Sequence, residues 1–222
     1  VYFRKTLYDT ATSCYLQAIK IYESINDFKR ATMMTGNLFN LYSEREMKDL
    51  ARETALRTIM LAKRTGIPDV IGKSYADYAG FLFRQSSNDS AVYYFMLAIP
   101  LQQENNYAVK SDLNTTYGNL SRTYLDMDKY NLADLYADSC LQIAEDLQVP
   151  MMLAGGYMNK GMVATALKKY KEAESYLAKC FDIVKEDGGF NLLQDYYSQL
   201  SFLYEQEGKY KEGIKIKKLS EF

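Results

Sequence analysis

An alanine returns along this chain on a nearly fixed ruler: Ala11, Ala51, Ala91, Ala133 and Ala173, then Gly213, at separations of 40, 40, 42, 40 and 40 residues. Self-similarity at such a period constrains the fold more than any composition value. Each unit is one supersecondary element that cannot bury its apolar face alone, so neighbours must stack into a continuous core. A chain built this way is a binding or assembly scaffold before it is anything else.

The periodicity inside each unit is helical. Tyr117, Leu120, Ser121 and Tyr124 follow an i, i+3, i+4, i+7 course, as do Tyr197, Leu200, Ser201 and Tyr204, which marks one apolar helix face. A second helix begins just before each ruler residue and carries small or apolar side chains on one face, as in Ala133, Ala137 and Cys140 or Ala91, Phe95 and Ala98. Alternating, β-branched runs are scarce, so strands are not expected. Polar turn segments fall inside each pair, at Gln85–Asp89, Asp126–Lys129 and Glu207–Lys209. Between pairs lie Thr65–Asp69, Asn105-Asn106, Val149-Pro150 and Gly188-Gly189, which offer a left-handed C-cap or a proline stop. The reading is all-α: a right-handed superhelical α-solenoid of antiparallel helix pairs forming one domain over 1–222. Its units are about 1–30, 31–69, 70–108, 109–150, 151–189 and 190–222, the first being partial and mostly a second helix. Pro100 falls nine residues into a second helix and predicts a kink or an early end there.

Composition removes whole classes of function. There is no histidine, so the usual general base and the commonest metal ligand are missing, and carboxylates such as Asp77 and Asp195 form no convincing acid–base pair. We expect no enzyme and no cofactor. The 27 basic and 28 acidic residues leave a formal charge of -1, so no global field recruits nucleic acid or an anionic membrane. The 21 tyrosines lack an interleaved basic stripe and read as core rather than as a stacking platform. Lys209, Lys211, Lys215, Lys217 and Lys218 read as the wet face of a last helix. Cys14, Cys140 and Cys180 are too few for a disulfide framework and read as small buried residues. No stretch approaches the roughly 20 apolar residues that span a bilayer. The chain starts at Val1 and stops at Ser220-Glu221-Phe222 within an expected helix. We therefore expect a fragment of a longer protein, and both a cytoplasmic and an extracytoplasmic setting fit.

The columns of residues resemble the tetratricopeptide repeat family. That family places a large aromatic, a leucine, a small residue and a tyrosine on the first helix, and an aromatic just before an alanine on the second. Here one unit reads Tyr117, Leu120, Ser121, Tyr124, Tyr130, Ala133, Ala137 and Cys140, and the next Tyr157, Gly161, Tyr170, Ala173, Leu177 and Cys180. Tyr8, Tyr130, Tyr170 and Tyr210 each precede their ruler residue by three. Alanine lets the helices of a hairpin approach closely, while aromatics fill the space between hairpins. The period exceeds the standard of about 34 residues and is similar to a long-repeat branch found in bacterial signalling regulators. Thr35 and Lys48 depart from the expected aromatics. HEAT-like arrays of about 40 to 47 residues do not explain these columns.

The resemblance implies that first helices line a concave peptide-binding face. Fourteen residues before each ruler position stand Asn37, Asp77, Asn119, Asn159 and Gln199. By the resemblance such amides hydrogen-bond the backbone of an extended peptide, as donor and acceptor together; otherwise they tie neighbouring helices to one another. Lys73, Arg84 and Arg122 flank that column and could receive an acidic segment or a carboxylate. The lysine clamp of chaperone-tail binders has no counterpart, because Gly36, Ala76, Gly118, Met158 and Ser198 occupy its column. These smaller residues are expected to leave room for a bulky partner, with Met158, Met162 and Phe202 as adaptable apolar contacts. The expected partner is a protein or peptide, in a regulatory or sensor part of a signalling protein. The alternative is a passive assembly scaffold that oligomerises through its open ends.

Overall fold

A computed structural model describes residues 2–102, 106–187 and 190–220 of the chain. All regular structure in these residues is helical, and no strand occurs among them. The helices are α1 (Tyr2–Ser24), α2 (Phe28–Glu44), α3 (Lys48–Thr65), α4 (Pro68–Arg84), α5 (Asn88–Ala98), α6 (Tyr107–Asp126), α7 (Tyr130–Leu147), α8 (Pro150–Ala166), α9 (Tyr170–Asp187), α10 (Phe190–Gln206) and α11 (Tyr210–Ser220). Each of α2, α4, α6, α8 and α10 pairs with the helix that follows it, so the chain is an α-solenoid of helix hairpins. It divides into two compact units, Val1–Asn105 and Asn106–Phe222.

The ruler has a direct structural cause. Ala51, Ala91, Ala133 and Ala173 are each 0 % exposed, where the second helix meets its own first helix and only a methyl group fits. The approach is tight enough for a serine hydroxyl to cross it. Ser121 donates to the Ala133 carbonyl at 2.7 Å, and Ser201 donates to the Gly213 carbonyl at 2.9 Å. Tyrosine pairs span the same hairpins in register: Tyr75–Tyr94, Tyr117–Tyr136 and Tyr157–Tyr176, with ring centroids 5.9, 5.8 and 6.4 Å apart. Aromatics also join successive hairpins, as at Phe181–Tyr196, 4.9 Å apart.

Every hairpin turns through a left-handed residue five positions before its ruler residue: Glu46, Ser86, Asp128, Lys168 and Gly208, with φ between 55° and 85°. The amide that follows each left-handed residue closes back on a carbonyl five residues earlier, as in Met47 to Tyr42, Ser87 to Leu82, Lys129 to Tyr124 and Lys169 to Ala164, all at 2.9 Å. This is the Schellman closure that satisfies terminal carbonyls. Only Gly208 among the five is the glycine such a turn favours. Helix starts are capped where side chains allow: Asp27 Oδ1 accepts from the Arg30 amide and Asn106 Oδ1 from the Val109 amide, both at 3.0 Å. Pro68 and Pro150 open α4 and α8, where their missing amide costs nothing. Pro100 ends α5 after 11 residues and converts Ile99–Leu101 to a 3-10 turn. The turn packs on Gly72, whose ideal Cβ would lie 3.0 Å from both Leu101 and Gln102. Asn105, Gly188, Gly189, Glu221 and Phe222 lie outside the described residues.

Two cysteines are core, and the third corrects the expectation. Cys140 and Cys180 are buried, whereas Cys14 is exposed. Cys14 stands three residues after Ala11, the position that Thr54 holds after Ala51. Thr54 is buried because α3 lies against both α2 and α4, while α1, among the described residues, packs on α2.

Candidate functional site

Within each unit the first helices touch one another as well as their partners: α2 meets α4, α6 meets α8, and α8 meets α10. They form a row of their own within each unit, and the expected contact residues all lie on them. Their environments differ sharply. Asn37 and Asp77 are exposed, Asn119 and Gln199 are half-buried, and Asn159 is buried.

Asn159 is part of an internal bond network. Its Oδ1 accepts from Arg122 Nε at 2.9 Å, and its amide nitrogen lies 3.9 Å from Cys140 Sγ. Two residues expected to meet a partner therefore meet each other, tying α6 to α8. Gly118 makes the approach possible, since a Cβ there would stand 3.0 Å from Asn159 Nδ2 and 3.4 Å from Cys140 Sγ. Room that the sequence reserved for a partner is thus filled by the neighbouring hairpin. Met158 corrects the expectation outright: it is 0 % exposed and belongs to the core with Ala173, Leu177 and Leu203, so it offers no surface to a partner.

The residue after Asn159 extends this staple. Lys160 is only 7 % exposed, and its ammonium donates to Asp134 and lies against Asp138, at 2.6 Å in each case. Burial pulls its pKa down, but the hydrogen bonds and charges of the two α7 carboxylates prevail and hold it above the ordinary lysine value. Buried lysines are paired for this reason.

In the N-terminal unit, Lys73 is exposed on α4, and Arg84 donates from Nη2 to Ser43 Oγ at 3.2 Å. Arg84 borders a shallow pocket of about 310 Å³ with Glu46, Lys48 and Phe81. In the C-terminal unit, Met162, Gln199 and Phe202 come together in a larger cleft of about 520 Å³. Phe202 is 47 % exposed there, so its ring can bury against an incoming group. Leu125, Asp126, Asp128, Tyr130, Lys168 and Ser198 complete much of the lining. The cleft sits where α6, α8 and α10 end. Asp128 accepts from the Tyr130 hydroxyl at 2.7 Å, which, as the first cause, raises the Tyr130 pKa. Asp126 is raised by partial burial.

Sequence reasoning singled out three of these residues and missed the acidic rim. A signal was present: the position seven before the ruler reads Glu44, Arg84, Asp126, Ala166 and Gln206, and it is the last turn of each first helix. Among the described residues no group of three potential ligands could hold a metal ion, and no helix is long and apolar enough to cross a membrane.

Two segments match models of the tetratricopeptide repeat, residues 115–147 and 154–185. These two segments are of the tetratricopeptide-repeat type. The two matches cover α6–α7 and α8–α9, the hairpins that carry Ser121, Ala133 and Ala173. Solved structures agree in fold along nearly the whole chain. BtubC (BKLC) from P. vanneervenii superposes with a TM-score of 0.77 at 16% identity, covering 96% of this chain and 89% of that one. The apo form of RapI gives 0.78 at 13% identity over 99% of this chain and 77% of that one. Pseudomonas aeruginosa PilF gives 0.56 at 17% identity over 92% and 97%. At these identities the likeness is one of fold. No curated protein sequence matches this chain significantly.

Proposed function

We propose that this chain is a peptide- or protein-binding module, and that its binding surface is the row of first helices in the C-terminal unit. The observation that carries the reading is the cleft of about 520 Å³ that gathers Met162, Phe202 and Gln199. An open aromatic ring and a thioether supply apolar area, and the amide can bond a peptide group in either sense. Asn119 and Arg122 border the same row. Asn37, Asp77, Lys73 and Arg84 would form a more polar surface in the N-terminal unit. Repeats of about 40 residues also support the regulatory role expected from the long-repeat resemblance, with the binding event read out by another part of a signalling protein.

The test is selection of a random heptapeptide library on the folded chain, followed by affinity measurement on wild type and on Phe202→Ala/Gln199→Ala. Selected peptides should lose at least about tenfold in affinity on the double variant. Equal affinity for both proteins would remove the cleft as the binding surface. A second reading, assembly through a helix face, is supported by Tyr210 and Ile214, one turn apart on α11 and exposed by 65 and 57 %. Light scattering across a concentration series decides it: association that Ile214→Lys abolishes would favour assembly.

A further inference from the structure

We propose that the cleft of the C-terminal unit selects a segment presenting a basic side chain next to an apolar one, with the basic group at Asp126 and the apolar group on Met162 and Phe202. This rests on the peptide-binding reading above and deepens it.

The charge argument starts from the helix ends. The C-terminal carbonyls of a helix carry a partial negative charge that a nearby cation stabilises and an anion does not. The helices α6, α8 and α10 all end around the cleft, and none has a basic residue in its last turn. Asp126 closes α6 with a carboxylate at this unfavourable end. No hydrogen bond or ion pair from the described residues reaches that carboxylate, and partial burial raises its pKa with no cation opposing the shift. The same register position in the preceding repeat is the control: there Arg84 provides the cation that the end of α4 favours. The array can therefore satisfy this position, and at the cleft it carries the opposite sign.

The lining keeps that sign. Asp126 and Asp128 face one cation, Lys168, at the exposed tip of the next turn. The acidic residues share the cleft with the thioether and ring of Met162 and Phe202. An arginine or lysine would supply the missing counter-charge while its apolar neighbour covered the exposed ring. An acidic segment would meet carboxylates and helix carbonyls of its own sign.

Three blocked peptides of one frame, acetyl-Gly-Phe-X-Leu-Gly-amide with X as arginine, glutamine or glutamate, test this by NMR titration of the Met162 methyl and Phe202 ring signals. The arginine peptide should bind about fivefold more tightly than the glutamine peptide, the scale of one exposed charge pair, and the glutamate peptide most weakly. Asp126→Asn should bring the arginine and glutamine peptides to equal affinity, as should about 0.5 M salt. Equal binding of all three peptides to wild type, or an arginine preference that survives Asp126→Asn, would overturn the charge assignment and leave the cleft as a peptide site. If no peptide moves the Met162 and Phe202 signals, the cleft reading fails and this inference with it.

Discussion

Gly155 and Gly156 are consecutive residues of α8, and replacing each by alanine should move stability in opposite directions. Alanine in a helix interior gains about 1 kcal/mol over glycine, because the glycine backbone loses more freedom on folding. At Gly155 an added Cβ has no heavy atom within 4 Å, so the gain stands alone. At Gly156 the new atom would lie 2.9 Å from Leu141 Cδ1, 3.1 Å from Leu141 Cα and 3.3 Å from its Cβ. A rotamer change of Leu141 can withdraw its Cδ1. Its main chain cannot be withdrawn in that way, so α7 and α8 must separate by a few tenths of an ångström along the joint between successive hairpins. Overpacking of this kind costs about 1–3 kcal/mol, which outweighs the propensity gain and leaves a net loss of about 1 kcal/mol. The two variants should then differ by about 2 kcal/mol, or about 4–8 °C in midpoint for a chain of this size. Thermal melts followed by far-UV circular dichroism, with urea titration as a check, measure the gap. A Gly156→Ala protein melting at or above wild type would refute the close approach of α7 to α8, and a destabilised Gly155→Ala would refute the propensity argument.

Four further outcomes are expected. Asp126→Asn should raise the melting temperature near neutral pH and change nothing at low pH: the folded pKa of Asp126 is raised, so stability is lost as pH climbs from the ordinary carboxylate value to the folded one and the full cost is present above it. Lys160→Met should cost about 1–3 kcal/mol below pH 10. Since the folded pKa of Lys160 is raised, its contribution is complete below the ordinary lysine value and fades as pH climbs through the folded one, so the two unfolding curves should converge there. Ellman titration of the native protein should find one fast thiol, Cys14. Burial pushes Cys140 up to about 11 and Cys180 up to about 12, so both should react only on unfolding. Asn159→Ala should lower stability by about 1–3 kcal/mol through the half-buried Arg122 guanidinium left without its acceptor, with calorimetry as the readout.

The hairpins were legible because their closest approaches demand one residue type at one place. A methyl group at Ala51, Ala91, Ala133 and Ala173 is a steric requirement of a helix pair, and a requirement repeated in successive hairpins becomes a visible column. The turns were half legible. Their polar composition marked them, but the left-handed residues are Glu46, Ser86, Asp128 and Lys168, held there by Schellman closure rather than by glycine.

The candidate surface was less legible. Asn119 and Asn159 share a register, a helix type and a side chain, yet one is half-buried and the other is bonded to Arg122 inside the stack. A column position specifies which way a side chain leaves its helix. It does not specify what the adjacent hairpin places in front of it, and Gly118 together with Arg122 decides that for Asn159. Met158 was misread for the same reason, since the core of its hairpin reaches a position that is small in most other repeats. The cleft joins positions with different offsets from the ruler, so no single column contained it.

The sequence by itself determined the repeat, the helix pairing and the core role of Cys140 and Cys180, because these depend on packing made within a hairpin or identically in each one. Tertiary structure alone decided which amides are buried, why Cys14 is bare, and where Asp126 gathers with Met162 and Phe202. Those properties arise between unlike neighbours in the stack, where the side chain brought by the next repeat determines the space and charge that remain.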